Sequence, residues 1–290
     1  MGNTQTSEPQ TRLTKLGPNF WNIRAEFKIF KFVNIGTHMS IVQRENGKFI
    51  VIDTVPLDPP LKNEIDQLTN NGEDIEAVIA THPFHTLAFP GFYEVYPKPQ
   101  YYGTPRHRRN PGKIPWLPIE DNLKSFEPDI QMRIPAGAEF VNPQPESYNH
   151  FNAVWVFSPH SRIIHVDDTI GYSEQSNYLF KLFGMKEKSF NFHMSLRGPA
   201  LLPAADSPVL FRDWMTELLN DWDFDSACCA HNGNKIGGAK ELLRQTLEDA
   251  QPLLEKLAAN RAKYANTSEI PHDEELNKCP DFNVEGNECG

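Results

Sequence analysis

The chain has 290 residues, 39 % hydrophobic and 11 % aromatic, which is enough to bury a core without disulfides and excludes collagen-like and wholly disordered classes. Its net charge of −10, from 28 basic and 38 acidic residues, opposes phosphate backbones and so excludes nucleic acid as a general partner. No run approaches the roughly 18–20 apolar residues of a membrane span, and the polar N-terminus lacks a secretory signal, so the expectation is a soluble, cytoplasmic protein.

Residues 1–19 are polar and read as a flexible N-terminal arm. Gly2 followed by Thr6 fits an N-myristoylation pattern, and one acyl chain would give weak membrane attachment. Residues 20–55 carry a β pattern. Phe27, Ile29, Phe32 and Val33 precede Met39, Ile41 and Val42, and a turn at Asn46-Gly47 leads into Phe49-Ile50-Val51-Ile52. Asn-Gly between apolar runs predicts a hairpin, and a run without polar alternation predicts a strand covered on both faces. Leu61, Ile65 and Leu68 predict a helix over 58–71, opened by Pro59 and Pro60. A second buried strand, 75–80, leads straight into a histidine-bearing loop. The β-β-α-β order predicts a layered α/β sandwich.

Ten prolines between 97 and 145 argue against long helices there and for short strands and turns. Strands are expected at 153–157 and 162–166, followed by an aromatic stretch over 178–194 in which residues 178–183 either wall a pocket or pack beneath the Pro-rich region. Helices are expected at 207–221 and 238–264, the second interrupted by Pro252, with a short buried strand at 227–231 between them. Residues 265–290 hold seven acidic groups against Lys278, which predicts an acidic, disordered tail. Cys228 and Cys229 are adjacent in an apolar stretch, Cys279 and Cys289 lie in the tail, and no C-x-x-C supports a thiolate zinc site.

Three polar segments each follow a predicted strand: residues 81–86 with His82 and His85, Asp167-Asp168-Thr169, and Ala230-His231-Asn232-Gly233. A fourth histidine, His150, precedes a strand. Loops at one edge of a sandwich can bring such side chains together although they are distant in sequence. The order and spacing resemble the metallo-β-lactamase-fold hydrolases over residues 27–260. Ile52-Asp53-Thr54 is similar to the family's I-D-T-G, with Val55 in place of glycine. Thr81-His82 matches the start of T-H-x-H-x-D-H. His150 stands where the mid-chain histidine is expected, Asp167-Asp168-Thr169 resembles G-D-T, and the 230–233 turn resembles G-H-G. The motif departs at Phe84, which takes the second histidine's place, at Thr86 for the aspartate and at Leu87 for the last histidine. His85 is one position out of register.

The resemblance implies a four-layer αβ/βα sandwich forming one domain over 20–264. It also implies a reduced, mononuclear metal centre drawn from His82, His85, His150, Asp168 and His231, with Asp168 as the metal-linked catalytic group. One zinc ion is the expected cofactor, and the same donors accept non-haem iron. The implied function is hydrolysis of a small-molecule ester, thioester, amide or phosphoester. Two alternatives are carried: a metal-free binding or scaffold protein on the same fold, and an iron-dependent oxygen-using enzyme. Asp53 is expected to anchor the turn near the site, and His165 to pack rather than ligate. Arg106-His107-Arg108-Arg109 is expected to be a solvated basic loop.

Overall fold

The computed structural model describes residues 12–29, 33–142, 151, 153–173, 188–231 and 233–263. His150, Gly2, the aromatic segment 178–183 and the acidic tail therefore lie outside the described residues. Residues 14–17, within the stretch expected to be an arm, instead form β1 (Thr14–Gly17), which pairs antiparallel with β2 (Phe20–Ala25). A small ribbon, β3 (Lys28–Ile29) and β4 (Val33–Asn34), leads to β5 (Thr37–Gln43), and the Asn46-Gly47 turn returns the chain along β6 (Phe49–Ile52). Helix α1 (Pro59–Leu68) starts where Asp58 accepts the Leu61 N–H, and it crosses over to β7 (Ile75–Ile79), parallel to β6. Helix α2 (Phe89–Val95), β8 (Gln100–Gly103), helix α3 (Pro105–Arg109) and β9 (Leu117–Pro118) complete a seven-stranded sheet ordered β1-β2-β5-β6-β7-β8-β9.

The second half builds the facing sheet from β10 (Gln131–Arg133), β11 (Trp155–Ser158) and β12 (Ile163–Val166). A side ribbon follows, β13 (Ile170–Ser173) with β14 (Ser189–Phe192), and then helix α4 (Ser207–Asp221). Strand β15 (Ser226–Cys229) lies parallel to β12, and β16 (Asn234–Lys235) closes a sheet ordered β10-β11-β12-β15-β16. Helix α5 (Ala239–Ala262) ends the described domain and contains Pro252.

The layers follow from strand alternation. On β6, Phe49 and Val51 face Leu61 and Ile65 of α1, whereas Ile50 and Ile52 join Val156, Ile163 and Cys228 between the sheets. On β12 and β15, Ile164, Val166, Ala227 and Cys229 face Phe211, Met215 and Leu218 of α4 and Leu243 of α5. Strands covered on both faces need apolar side chains at every position, which is why these runs show no polar alternation. The result is the four-layer αβ/βα sandwich. Both cysteines of the adjacent pair are free and buried, and burial pushes the Cys229 thiol up to about 12.

The basic segment over α3 is largely committed to structure. Arg106 donates to the Pro83 carbonyl at 3.0 Å and lies over the Phe84 ring, and Arg108 pairs with Glu120. His107 is buried against Trp116 and meets the Thr104 hydroxyl at 2.9 Å. Burial, outweighing the nearby Asp53 carboxylate, pushes His107 down to about 3.

Two outcomes follow from this packing. Gly137 has φ +74°, and a Cβ there would stand 2.3 Å from the Ser207 carbonyl oxygen at the start of α4. Gly137→Ala should therefore destabilise by at least roughly 2 kcal/mol in denaturant unfolding, and an unchanged midpoint would contradict this close approach. His107 takes up its proton more readily unfolded than folded, so its contribution is full above pH 6.5 and is lost as pH falls toward 3. Urea titrations of wild type and His107→Gln between these limits should diverge by on the order of a few kcal/mol, the wild type losing more; parallel curves would count against it.

Candidate metal centre

Four strand ends deliver the polar loops to one edge of the sandwich. β6 runs into Asp53, β7 into Thr81 and His82, β12 into Asp167 and Asp168, and β15 into His231. Because β6 and β7 are parallel in one sheet and β12 and β15 in the other, their carboxyl ends open on the same crevice. Arg24 reaches across from β2 and donates to the carbonyls of Cys229 and Ala230, which fixes the path of the chain into His231.

Asp168 stands at the centre of the outer cluster, buried and flanked by three imidazoles. His231 Nε2 lies 3.0 Å from its Oδ1, and His85 Nε2 and His82 Nε2 lie 3.5 and 3.8 Å from its Oδ2. One donor atom from each of His82, His85 and Asp168 lies within 4.8 Å of the others. His85 arrives there because Phe84 turns into the core and the His85 N–H folds back onto the His82 carbonyl at 3.3 Å. That tight turn sets the two imidazole rings 4.7 Å apart and absorbs the one-residue register shift. Leu87, in place of the motif's last histidine, is 65 % exposed.

The second nitrogen of each ring determines what the first can do. His85 Nδ1 meets Asp167 Oδ1 at 2.8 Å, and His231 Nδ1 meets the Gly36 carbonyl at 2.6 Å. Both partners are acceptors, so each Nδ1 carries a proton and each Nε2 is left facing Asp168. A lone pair facing a carboxylate requires a proton or a cation between them. The donor set thus fits a divalent metal, which would take the place of the Nε2 protons: two imidazoles whose Nδ1 protons are held by acceptors, and one carboxylate. Without a metal, burial opposes charge on His85, but Asp167 and Asp168 outweigh it and hold its pKa well above 6.5. His82 differs, because its Nδ1 accepts the Phe84 N–H at 3.2 Å, and ligation through Nε2 requires this contact to yield. At 15 % and 21 % side-chain exposure, His85 and His231 form the open side of the cluster.

Beneath it lies a second, closed cluster. Asp53, at φ 54°, accepts the Thr81 N–H at 2.9 Å, the Thr81 hydroxyl at 2.6 Å and His165 Nε2 at 2.8 Å. Thr81 Oγ1 also stands 3.3 Å from Asp167, which connects the inner carboxylate to the one that orients His85. Burial raises the Asp53 pKa, but His165 and Thr81 outweigh it and the net shift is downward; Asp167 is raised by burial against the pull of His85. His38 stacks on His165 with ring centres 4.1 Å apart, and donor atoms of His38, Asp53 and His165 all lie within 4.8 Å of one another.

The structure therefore brings together His82, His85, Asp168 and His231, while His150 lies outside the described residues. Asp53 anchors the Thr81 turn as expected. His165 does more than pack, since it ties Asp53 to Ser40 through both ring nitrogens. Sequence reasoning missed His38 and the orienting role of Asp167. The available signal for His38 was alternation, since His38, Ser40 and Val42 share the inward face of β5, where Val42 is apolar and the other two are not.

No family model and no curated protein matches the chain by sequence. Solved structures match its fold. VMB-1 superposes with TM-score 0.54 at 16 % identity, covering 86 % of this chain and 97 % of its own, and the metallo-β-lactamase DIM-1 with 0.51 at 15 %, covering 87 % and 97 %. A metallo-β-lactamase from Erythrobacter litoralis gives 0.53 at 14 %, covering 82 % and 96 %. A diflavin flavoprotein fragment from Nostoc gives 0.54 at 11 %, covering 87 % and 97 %. The chain has the metallo-β-lactamase fold, with candidate His/Asp metal-binding clusters where its parallel strand ends meet.

The Asp167 contact should be measurable in metal affinity. Asp167→Asn keeps the shape but removes the charge that orients His85, and should weaken zinc binding about 10- to 100-fold in a competition titration with a chromophoric chelator. Equal affinities would show that Asp167 does not orient a ligand.

Proposed function

We propose that this protein is a metal-dependent hydrolase with a mononuclear centre at the outer cluster, acting on a small-molecule ester, thioester, amide or phosphoester. The observation that carries this reading is the convergence of three imidazole Nε2 atoms on Asp168, at 3.0, 3.5 and 3.8 Å. His82, His85 and Asp168, whose donor atoms lie within 4.8 Å of one another, would hold the ion once His82 releases the Phe84 N–H, with His231 against the same carboxylate as a further donor. Metallo-β-lactamases among the structural neighbours support hydrolysis as the reaction class. A single divalent ion with an open position supplies a water acidified to a pKa of about 7 and a Lewis acid for the substrate's carbonyl or phosphoryl oxygen.

The chain's own residues set the rest. Asp168, buried, fixes the negative end of the ligand set and cannot swing into solvent. Asp167 and the Gly36 carbonyl keep the Nδ1 protons of His85 and His231 in place, so that both rings present lone pairs to the crevice. Thr81, held through both its N–H and its hydroxyl by Asp53, fixes the start of the loop that carries His82 and His85.

Metal analysis joined to a turnover assay tests this reading. The wild type should contain an ion that a chelator removes together with hydrolysis of a panel of chromogenic esters, thioesters, amides and phosphodiesters. Asp168→Ala and His85→Ala should each lack about one equivalent relative to wild type and lose turnover. Zinc supports the hydrolase, whereas iron with oxygen consumption would transfer the site to an oxygen-using enzyme. Equal metal content in wild type and both variants, with no turnover, would leave the scaffold reading standing.

A further inference from the structure

The inner cluster has its own chemistry. His38 is 1 % exposed, and neither of its ring nitrogens has a hydrogen-bond partner among the described residues. Burial holds the ring neutral, assisted by His165 and Arg24, so it offers one lone pair and one N–H. A buried polar atom without a partner costs about 1–3 kcal/mol, and a leucine or phenylalanine would fill the same position of β5 without that penalty. One of its nitrogens lies within 4.8 Å of an Asp53 oxygen and a His165 nitrogen, and its ring stacks on His165.

We propose that His38, His165 and Asp53 form a second, wholly buried transition-metal site suited to zinc. Two imidazoles and a carboxylate whose donor atoms lie within 4.8 Å of one another reach ligand distances of about 2.0–2.2 Å once the unbonded His38 ring turns out of its stack on His165, so that both in-plane lone pairs aim at one point. Imidazole donors select a zinc-type ion, because calcium or magnesium would demand an oxygen-rich shell that the cluster does not provide. Binding replaces the 2.8 Å contact between His165 Nε2 and Asp53. The proton that His165 Nε2 shares with Asp53 would move to Nδ1, where Ser40 Oγ, at 2.9 Å, can accept it. Asp53 keeps both bonds from Thr81.

The site joins the two sheets. His38 lies on β5 and Asp53 at the end of β6 in one sheet, and His165 lies on β12 in the other. An ion there is bound only by the folded chain, so it stabilises the sandwich, enters as the sheets close and leaves only when they part. The inference does not depend on the outer cluster holding a metal.

The test uses the full chain, refolded from guanidinium with zinc and then dialysed against excess chelator. The wild type should retain about one zinc equivalent that is released only on unfolding. Asp168→Ala should retain it as well, and His38→Gln should not. No retained zinc in the wild type, or equal retention in His38→Gln, overturns the proposal. If His38→Gln does not refold, X-ray absorption of cobalt retained by Asp168→Ala, whose outer cluster has lost its carboxylate, decides: two imidazoles and an oxygen support the site, and no retained cobalt or fewer than two imidazoles overturn it.

Discussion

Asp53 sits at the end of β6 with a left-handed backbone (φ 54°), and its carboxylate is 2 % exposed between the two sheets. A charge taken out of water at that depth is costly unless it is paired and hydrogen-bonded. The pairing here fixes several things at once. The Thr81 N–H and hydroxyl bind the end of β7, and His165 binds the middle of the facing sheet. Meeting the needs of one carboxylate therefore sets the loop after β7, the approach of the sheets and the position of the residues that follow Thr81.

The outer cluster inherits its geometry from that arrangement. Thr81 is followed at once by His82, and the turn through the buried Phe84 returns His85 to the same side. Asp167 and Asp168, consecutive after β12, divide the work: one bonds the far nitrogen of His85 and the other faces its near nitrogen. Neighbouring carboxylates on one strand end can do this because alternate side chains leave the backbone in different directions. Arg24 completes the frame from the opposite side by holding the β15 end near His231. A site ordered by such outer contacts is arranged before any ligand arrives, which limits the reorganisation that binding requires.

The polarity of the inter-sheet layer changes along its length. At one end it is apolar, with Val42, Ile50, Ile52, Val156 and Ile163, and toward the crevice it becomes Ser40, His38, His165 and Asp53. The gradient places strong electrostatics where the dielectric is low and water is excluded, and leaves the hydrophobic end to hold the sheets together. The two clusters share this region but differ in access, since His85 and His231 remain partly exposed while His38 and His165 are sealed.

By itself the sequence determined the layers. The unalternated runs at Phe49–Ile52 and 75–80, the Asn46-Gly47 turn and the Pro59-Pro60 helix start are local signals, and local signals survive in any tertiary context that buries them. It also placed His82, Asp168 and His231 at strand ends, where a shared edge could collect them. Tertiary structure decided the rest. Whether His85 could serve depended on a turn whose shape is set by the burial of Phe84. The role of Asp167 depended on which nitrogen of which histidine came to face it across more than 80 residues of chain. His38 acquired meaning only when β12 brought His165 against it from the other sheet, 4.1 Å away. Period-two patterning tells which face a side chain occupies, but not what stands opposite, because that is set by the register and docking of strands distant in sequence.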